Sequence, residues 1–220
     1  PAAAKGGYIF VDDPLPLEQM RHYAVEFRLS IEELVGRTVT LENLNAAGSL
    51  RDGVLNADVE FATPVGARSA SRIRFEALGD GAQLQALVNA RDLRLNIASG
   101  KGARPEQIPP VSLSLKVTSS GGSPRALAAG SNGDLLVTIG QGRIDNKLVG
   151  RVSGDILAEL STALNPFAKK DSYTTFECGV MKFLVEDGMA TLDPMVLQGE
   201  KVTILADGTL DLITEELDIK

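Results

Sequence analysis

The chain is predicted to be mainly β, of the α+β kind: a curved antiparallel β-sheet forming a groove, capped by one amphipathic helix. The alternative architecture is a closed β-sandwich. Apolar and polar residues alternate with period two through most of the sequence, Asp-Gly pairs punctuate the alternating runs, and one long segment alone has helical spacing.

Residues 1–7 have the composition of a linker, and residues 8–220 read as a single β-groove region. Within it, 8–118 is a strand-rich first part and 131–220 a strand-helix-strand C-terminal part. A short helical piece is expected at Leu15–His22, after Pro14 and Pro16. Tyr23, Val25, Phe27, Leu29 and Ile31 then alternate with Glu26, Arg28, Ser30 and Glu32. Leu55, Ala57, Val59 and Phe61 alternate with Asn56, Asp58 and Glu60, and Ile73 and Phe75 with Arg72, Arg74 and Glu76. Leu84, Ala86, Val88 and Ala90 form a face that changes phase near Arg91 and resumes at Leu93, Leu95 and Ile97. Such a one-residue shift is the signature of a β-bulge. Val111, Leu113, Leu115 and Val117 make a further strand, and a turn is expected at Pro124–Ala129. Near the C-terminus Val202, Ile204, Ala206, Leu210 and Leu212 share one face.

Hairpin turns are placed at Asp52-Gly53, Gly79-Asp80-Gly81 and Asp187-Gly188. Asp207, also before Gly, reads as a hairpin or bulge residue. The one helix is expected over 148–164, about 17 residues and roughly 25 Å long. Leu148, Val152, Ile156, Leu160 and Leu164 recur at i, i+4 and fall on one face, with Arg151, Asp155 and Glu159 opposite. Pro166 ends it.

About ten strands at ~4.8 Å spacing make a sheet roughly 48 Å wide, and one helix about 10 Å in diameter covers about two of them. A soluble monomer rarely leaves more than a few hundred Å² of apolar surface exposed as one patch. Either the sheet folds face to face as a sandwich, which from pattern alone is the commoner solution, or it curls into a trough around something apolar that is not protein. The trough's candidate lining is Val25, Phe27, Leu29, Leu55, Val59, Phe61, Ile73, Phe75, Leu113, Leu115, Val202, Ile204, Leu210 and Leu212.

Composition narrows the function. The net charge of −7 is spread over interleaved acidic and basic residues, and aromatics are 5% with no Trp. Nucleic-acid binding needs clustered cations and stacking rings, so no nucleic acid is expected. No apolar run is long enough to span a membrane, and no export signal is present in the sequence itself. The linker-like start and the strand pattern that stops at Leu217-Asp-Ile-Lys220 suggest a piece of a longer protein.

Catalytic signatures are weak. His22 is the only histidine and Cys178 the only cysteine; His22 reads as a surface or capping residue, Cys178 as a buried strand thiol. Asp12-Asp13-Pro14 reads as a strand end before a turn, and Glu215, Glu216 and Asp218 as a solvated strand edge. The Ser-Gly-Lys-Gly and Ser-Ser-Gly-Gly-Ser runs lack the helix and Gly-Lys-Ser/Thr of a phosphate loop. Lys169 and Lys170 are too few to argue for a membrane surface. The chain is therefore expected to be no enzyme, with no catalytic, metal or cofactor-binding residues and no cofactor.

Gly140-Gln-Gly-Arg-Ile-Asp-Asn, the helix after it, Asn165-Pro-Phe-Ala-Lys-Lys-Asp, Tyr173-Thr-Thr-Phe-Glu-Cys and Asp187-Gly-Met-Ala-Thr-Leu-Asp-Pro form an ordered series. With Gly208-Thr-Leu-Asp-Leu, it resembles the C-terminal periplasmic region of the AsmA-like family, related to the TamB-type repeating β-groove lipid-transfer proteins. The resemblance is detailed over 131–220 and looser, in strand rhythm and Asp-Gly turns, before that. It implies a periplasmic protein tethered to the inner membrane by an N-terminal anchor absent from this fragment. It also implies outer-membrane biogenesis as the role, with phospholipid acyl chains and envelope proteins as partners. The alternative is a structural or protein-interaction module supporting outer-membrane assembly.

Overall fold

The computed structural model describes residues 9–36, 40–94, 107–145, 173–200 and 203–219. The expected helix over 148–164, with Leu148, Val152, Ile156, Leu160 and Leu164, lies outside the described residues. So do Leu95, Ile97 and Val202.

The protein is mainly β, and its described residues form a single open antiparallel sheet that does not close into a barrel. After helix α1 (Leu17–His22) come β1 (Val25–Val35), β2 (Thr40–Arg51), β3 (Val54–Ala62), β4 (Arg68–Leu78), β5 (Gly81–Leu93) and β6 (Val111–Gly121). Helix α2 (Pro124–Ala129) follows, then β7 (Asn132–Ile139), β8 (Gly142–Asp145), β9 (Tyr173–Glu186), β10 (Met189–Gly199), β11 (Thr203–Asp211) and β12 (Glu216–Ile219). Strand order follows chain order from β1 to β12, except that β8 pairs with β9 off the main path. The sheet runs unbroken through both halves of the chain.

Turn chemistry explains why successive strands pair. Asp52 and Gly53 have φ of 51° and 78°, and Asp187 and Gly188 have 45° and 77°. Two consecutive left-handed residues make the tight turn whose twist suits a hairpin. The phase change near Arg91 is a bulge: the β5–β6 register slips between Ala90 and Leu93, with Asp92 at φ 56°. Further slips occur in β2 between Glu42 and Asn45, and in β10 between Leu192 and Met195. Bulges bend and twist the strands that carry them. Asp207-Gly208 makes no hairpin; it lies inside β11, and Asp207 falls opposite the β10 bulge that accommodates Pro194.

One rim of the sheet gathers the turns after β2, β4, β9 and β11 together with α2. Ser123 caps α2, its Oγ accepting from the Ala126 N–H at 3.1 Å, and Pro124 starts the helix. The segment from Ile9 to His22 runs along this rim as a strap. The Ile9 and Phe10 N–H groups donate to the Glu215 carboxylate at 2.7 and 2.8 Å. The Ser123 hydroxyl donates to Asp12 at 2.7 Å, and the Leu15 N–H to the Gly122 carbonyl at 2.9 Å. Leu17 is buried against Ala77 and Ala82, and Arg21 donates to the Gly79 carbonyl. Asp12-Asp13-Pro14 is thus part of the strap and not a strand end. Glu215 is an anchor and not a solvated edge residue.

Candidate functional site

The site is built by register. Partnered residues of neighbouring strands point to the same face, so the pairings assemble rows across the sheet. One row runs Leu29, Ala46, Val59, Ser71, Val88, Leu115, Leu135, Phe183 and Leu192. The next runs Phe27, Gly48, Ala57, Ile73, Ala86, Val117, Gly133, Val185, Ala190 and Leu210. Val25, Leu50, Leu55, Phe75 and Leu84 lie beside them, as do Phe61, Ser69, Ala90 and Leu113. Ile204 joins through Leu197. Apart from Val202 and Leu212, every expected groove residue therefore shares one face.

Leu212 departs from that face. The Asp211 side chain accepts from the Ile213 and Thr214 N–H groups at 2.7 and 3.2 Å, which ends β11 and turns the chain. Leu212 then donates its N–H to the Gly188 carbonyl at the strapped rim. Side-chain bonding of this kind competes with strand continuation.

The described residues leave the face incompletely covered. Among the described residues the fully buried large aliphatic side chains are Leu17, Leu93, Ile108 and Leu192; the other buried apolar side chains are alanines and Pro109. Phe27 is 40% exposed and Leu29 48%, while Ile73, Leu115, Leu135 and Phe183 are half-buried. A face pressed on a second sheet would bury such residues as a core. No second sheet is present among the described residues, so the sandwich alternative is not the architecture there.

Both described helices sit on this face at the strapped rim. Leu17 of α1 packs on Ala77 and Ala82, with Phe75 beside them. The Ser119 hydroxyl donates to the Leu127 carbonyl of α2, and Gly121 lies directly under Ala126 and Leu127. Serine, glycine and alanine there leave room for helices to approach the strands. The described cap is thus made by α1 and α2, which close one end of the apolar face.

The opposite face is polar, with ion pairs Arg51–Glu26, Arg72–Asp58 and Arg74–Glu76. It also exposes Leu87, Leu136, Val180 and Leu184. Cys178 is exposed in β9; the expectation of burial fails because its phase in β9 differs from that of Gly179, Met181 and Phe183 on the apolar face. Native protein is accordingly expected to react with one equivalent of maleimide at a rate near that of the unfolded chain, followed by mass spectrometry. His22 is exposed at the end of α1, its Nδ1 2.7 Å from the Glu18 carbonyl oxygen.

Glu215 was not legible as an anchor, because its partners lie at the other end of the chain. The Phe10 and Ile9 N–H groups, with the Arg125 charge, hold its carboxyl below the usual carboxylate range. A depressed folded value means that its contribution is complete above the ordinary carboxylate pKa and is lost as pH falls through the folded one. Glu215→Gln is therefore expected to speed hydrogen exchange at Ile9 and Phe10 at pH 7, an effect wild type shows only in acid. Unchanged protection of both amides in the variant would show that the carboxylate does not hold the strap.

No protein-family model matches the chain, and no curated protein or solved structure does either.

Proposed function

We propose that this protein holds or conducts lipid acyl chains, phospholipid first among them, along the apolar face of its sheet. The observation that supports this is the continuous set of apolar rows from β1 to β11, largely half-exposed, with the helices among the described residues gathered at one rim. An acyl chain laid on that face leaves water at about 0.8 kcal/mol per CH₂. Exchange with a bilayer is nearly neutral, since both media are apolar, and non-directional contact permits sliding. No bond is made or broken and no cofactor is called for. With the AsmA-like resemblance, the setting is the periplasm. There the full protein would be tethered to the inner membrane and would serve outer-membrane biogenesis alongside envelope proteins.

A second reading is favoured by the sheet's edges. β1 and β12 end the strand order, and an unpaired edge can accept a strand from a partner. On this reading the module supports outer-membrane assembly by protein contact. Native mass spectrometry of gently purified protein, with lipid extraction, separates the two. Stoichiometric phospholipid is expected on the first reading. A lipid-free protein that also refuses a fluorescent fatty acid overturns it.

A further inference from the structure

On the polar face, away from the strapped rim, the pattern of matched charges breaks. Arg72 is committed to Asp58 at 3.0 Å and Arg74 to Glu76 at 2.8 Å. Arg68 and Arg91, however, stand directly opposite each other in the β4–β5 register. Like charges in that relation repel, and neither makes an ion pair or hydrogen bond among the described residues. They border a depression of about 630 Å³ that Asn45, Glu60, Ala70 and Asn89 also line. The depression exists because Ala70 fills the middle of a row whose neighbours, Glu60 and Asn89, carry longer side chains. The Asn89 Oδ1 is occupied by the Ser114 hydroxyl at 3.0 Å, which leaves its amide N–H groups as donors on the other side.

We propose that Arg68 and Arg91, with the Asn89 amide, form a binding site for a phosphomonoester. Two planar guanidinium forks match the several oxygens of a phosphoryl group, and a dianion between them converts their repulsion into attraction. Glu60, the one carboxylate in the lining, disfavours a higher anionic charge and leaves the site selective for a single phosphoryl group. The depression has the volume of a small-molecule site, so the phosphoryl group can carry a substituent. The site lies on the face opposite the proposed acyl-chain surface and does not depend on that reading.

The test uses the full chain with glycerol 3-phosphate by calorimetry at constant ionic strength. In parallel, co-sedimentation is measured with phosphatidylcholine vesicles containing or lacking phosphatidic acid. Arg68→Ala and Arg91→Ala are each expected to weaken binding at least tenfold, while Arg72→Ala changes it less than twofold and Glu60→Gln tightens it. All three arginines are exposed, so the variants are expected to keep the wild-type melting temperature within a few degrees. Binding of glycerol 3-phosphate identifies a free phosphomonoester as the ligand; binding of phosphatidic acid vesicles alone identifies a lipid headgroup. No binding to either probe, or an equal loss in Arg72→Ala, overturns the site.

Discussion

Gly133→Ala is expected to lower the melting temperature by about 6–12 °C, or to prevent folding. Gly133 sits in β7 opposite Val117 of β6 and Val185 of β9. A Cβ there would be driven into the Lys116 carbonyl oxygen and lie 2.9 Å from the Val117 Cα. Both obstacles are backbone of a central strand, so no side chain can swing away and the ladder itself must move. Disruptions of that kind cost about 3 kcal/mol or more, and each kcal/mol is worth about 2–4 °C in a chain of this size. The comparison is Gly66→Ala. Gly66 has φ +84° and nothing within 4 Å of a built Cβ, so its loss is expected to cost only about 1 kcal/mol of conformational strain. Thermal melts by circular dichroism distinguish the two, and equal shifts would mean that β6 and β7 approach less closely than described.

The second large effect concerns the apolar face. Leu115→Glu and Phe183→Glu place a carboxylate within the apolar row that runs from Leu29 to Leu192, on either side of Leu135. An ionised carboxylate facing acyl chains loses hydration with no partner to replace it, at a cost of several kcal/mol. Retained lipid is therefore expected to fall by more than about tenfold, since each factor of ten is about 1.4 kcal/mol. Lys116→Glu and Lys182→Glu change charge by twice as much one residue along the same strands, on the polar face. They are expected to leave lipid unchanged. Both half-buried positions can carry a charge outward when no lipid is present, so folding is expected to survive. Equal lipid content in all four variants would remove the apolar face from the account.

Local pattern made the strands legible. Alternation in Leu55–Phe61 or Val111–Val117 is a property of adjacent residues, and Asp-Gly turns report their own backbone geometry. The bulge beside Arg91 was legible for the same reason, as a phase change within one strand. Features built by distant residues were not. The strap depends on Glu215 meeting Ile9 and Phe10 across almost the whole chain, and nothing near either segment announces it. The opposition of Arg68 and Arg91 depends on where the β4–β5 turn sets the register, which alternation alone leaves undetermined. Leu212 continued the right phase, yet the Asp211 side chain captured two backbone N–H groups and ended the strand one residue earlier. Cys178 was assigned by residue type, whereas its exposure follows from its phase within β9.

The most direct measurement is site-specific photocrosslinking in protein incubated with phospholipid vesicles. A benzophenone side chain replaces Leu115 or Phe183 in one pair of variants, and Lys116 or Lys182 in the other. Lipid adducts by mass spectrometry at Leu115 and Phe183, with none at Lys116 and Lys182, are expected if acyl chains lie on the apolar face. Adducts in equal yield on both faces, or at none of the four positions, would contradict it.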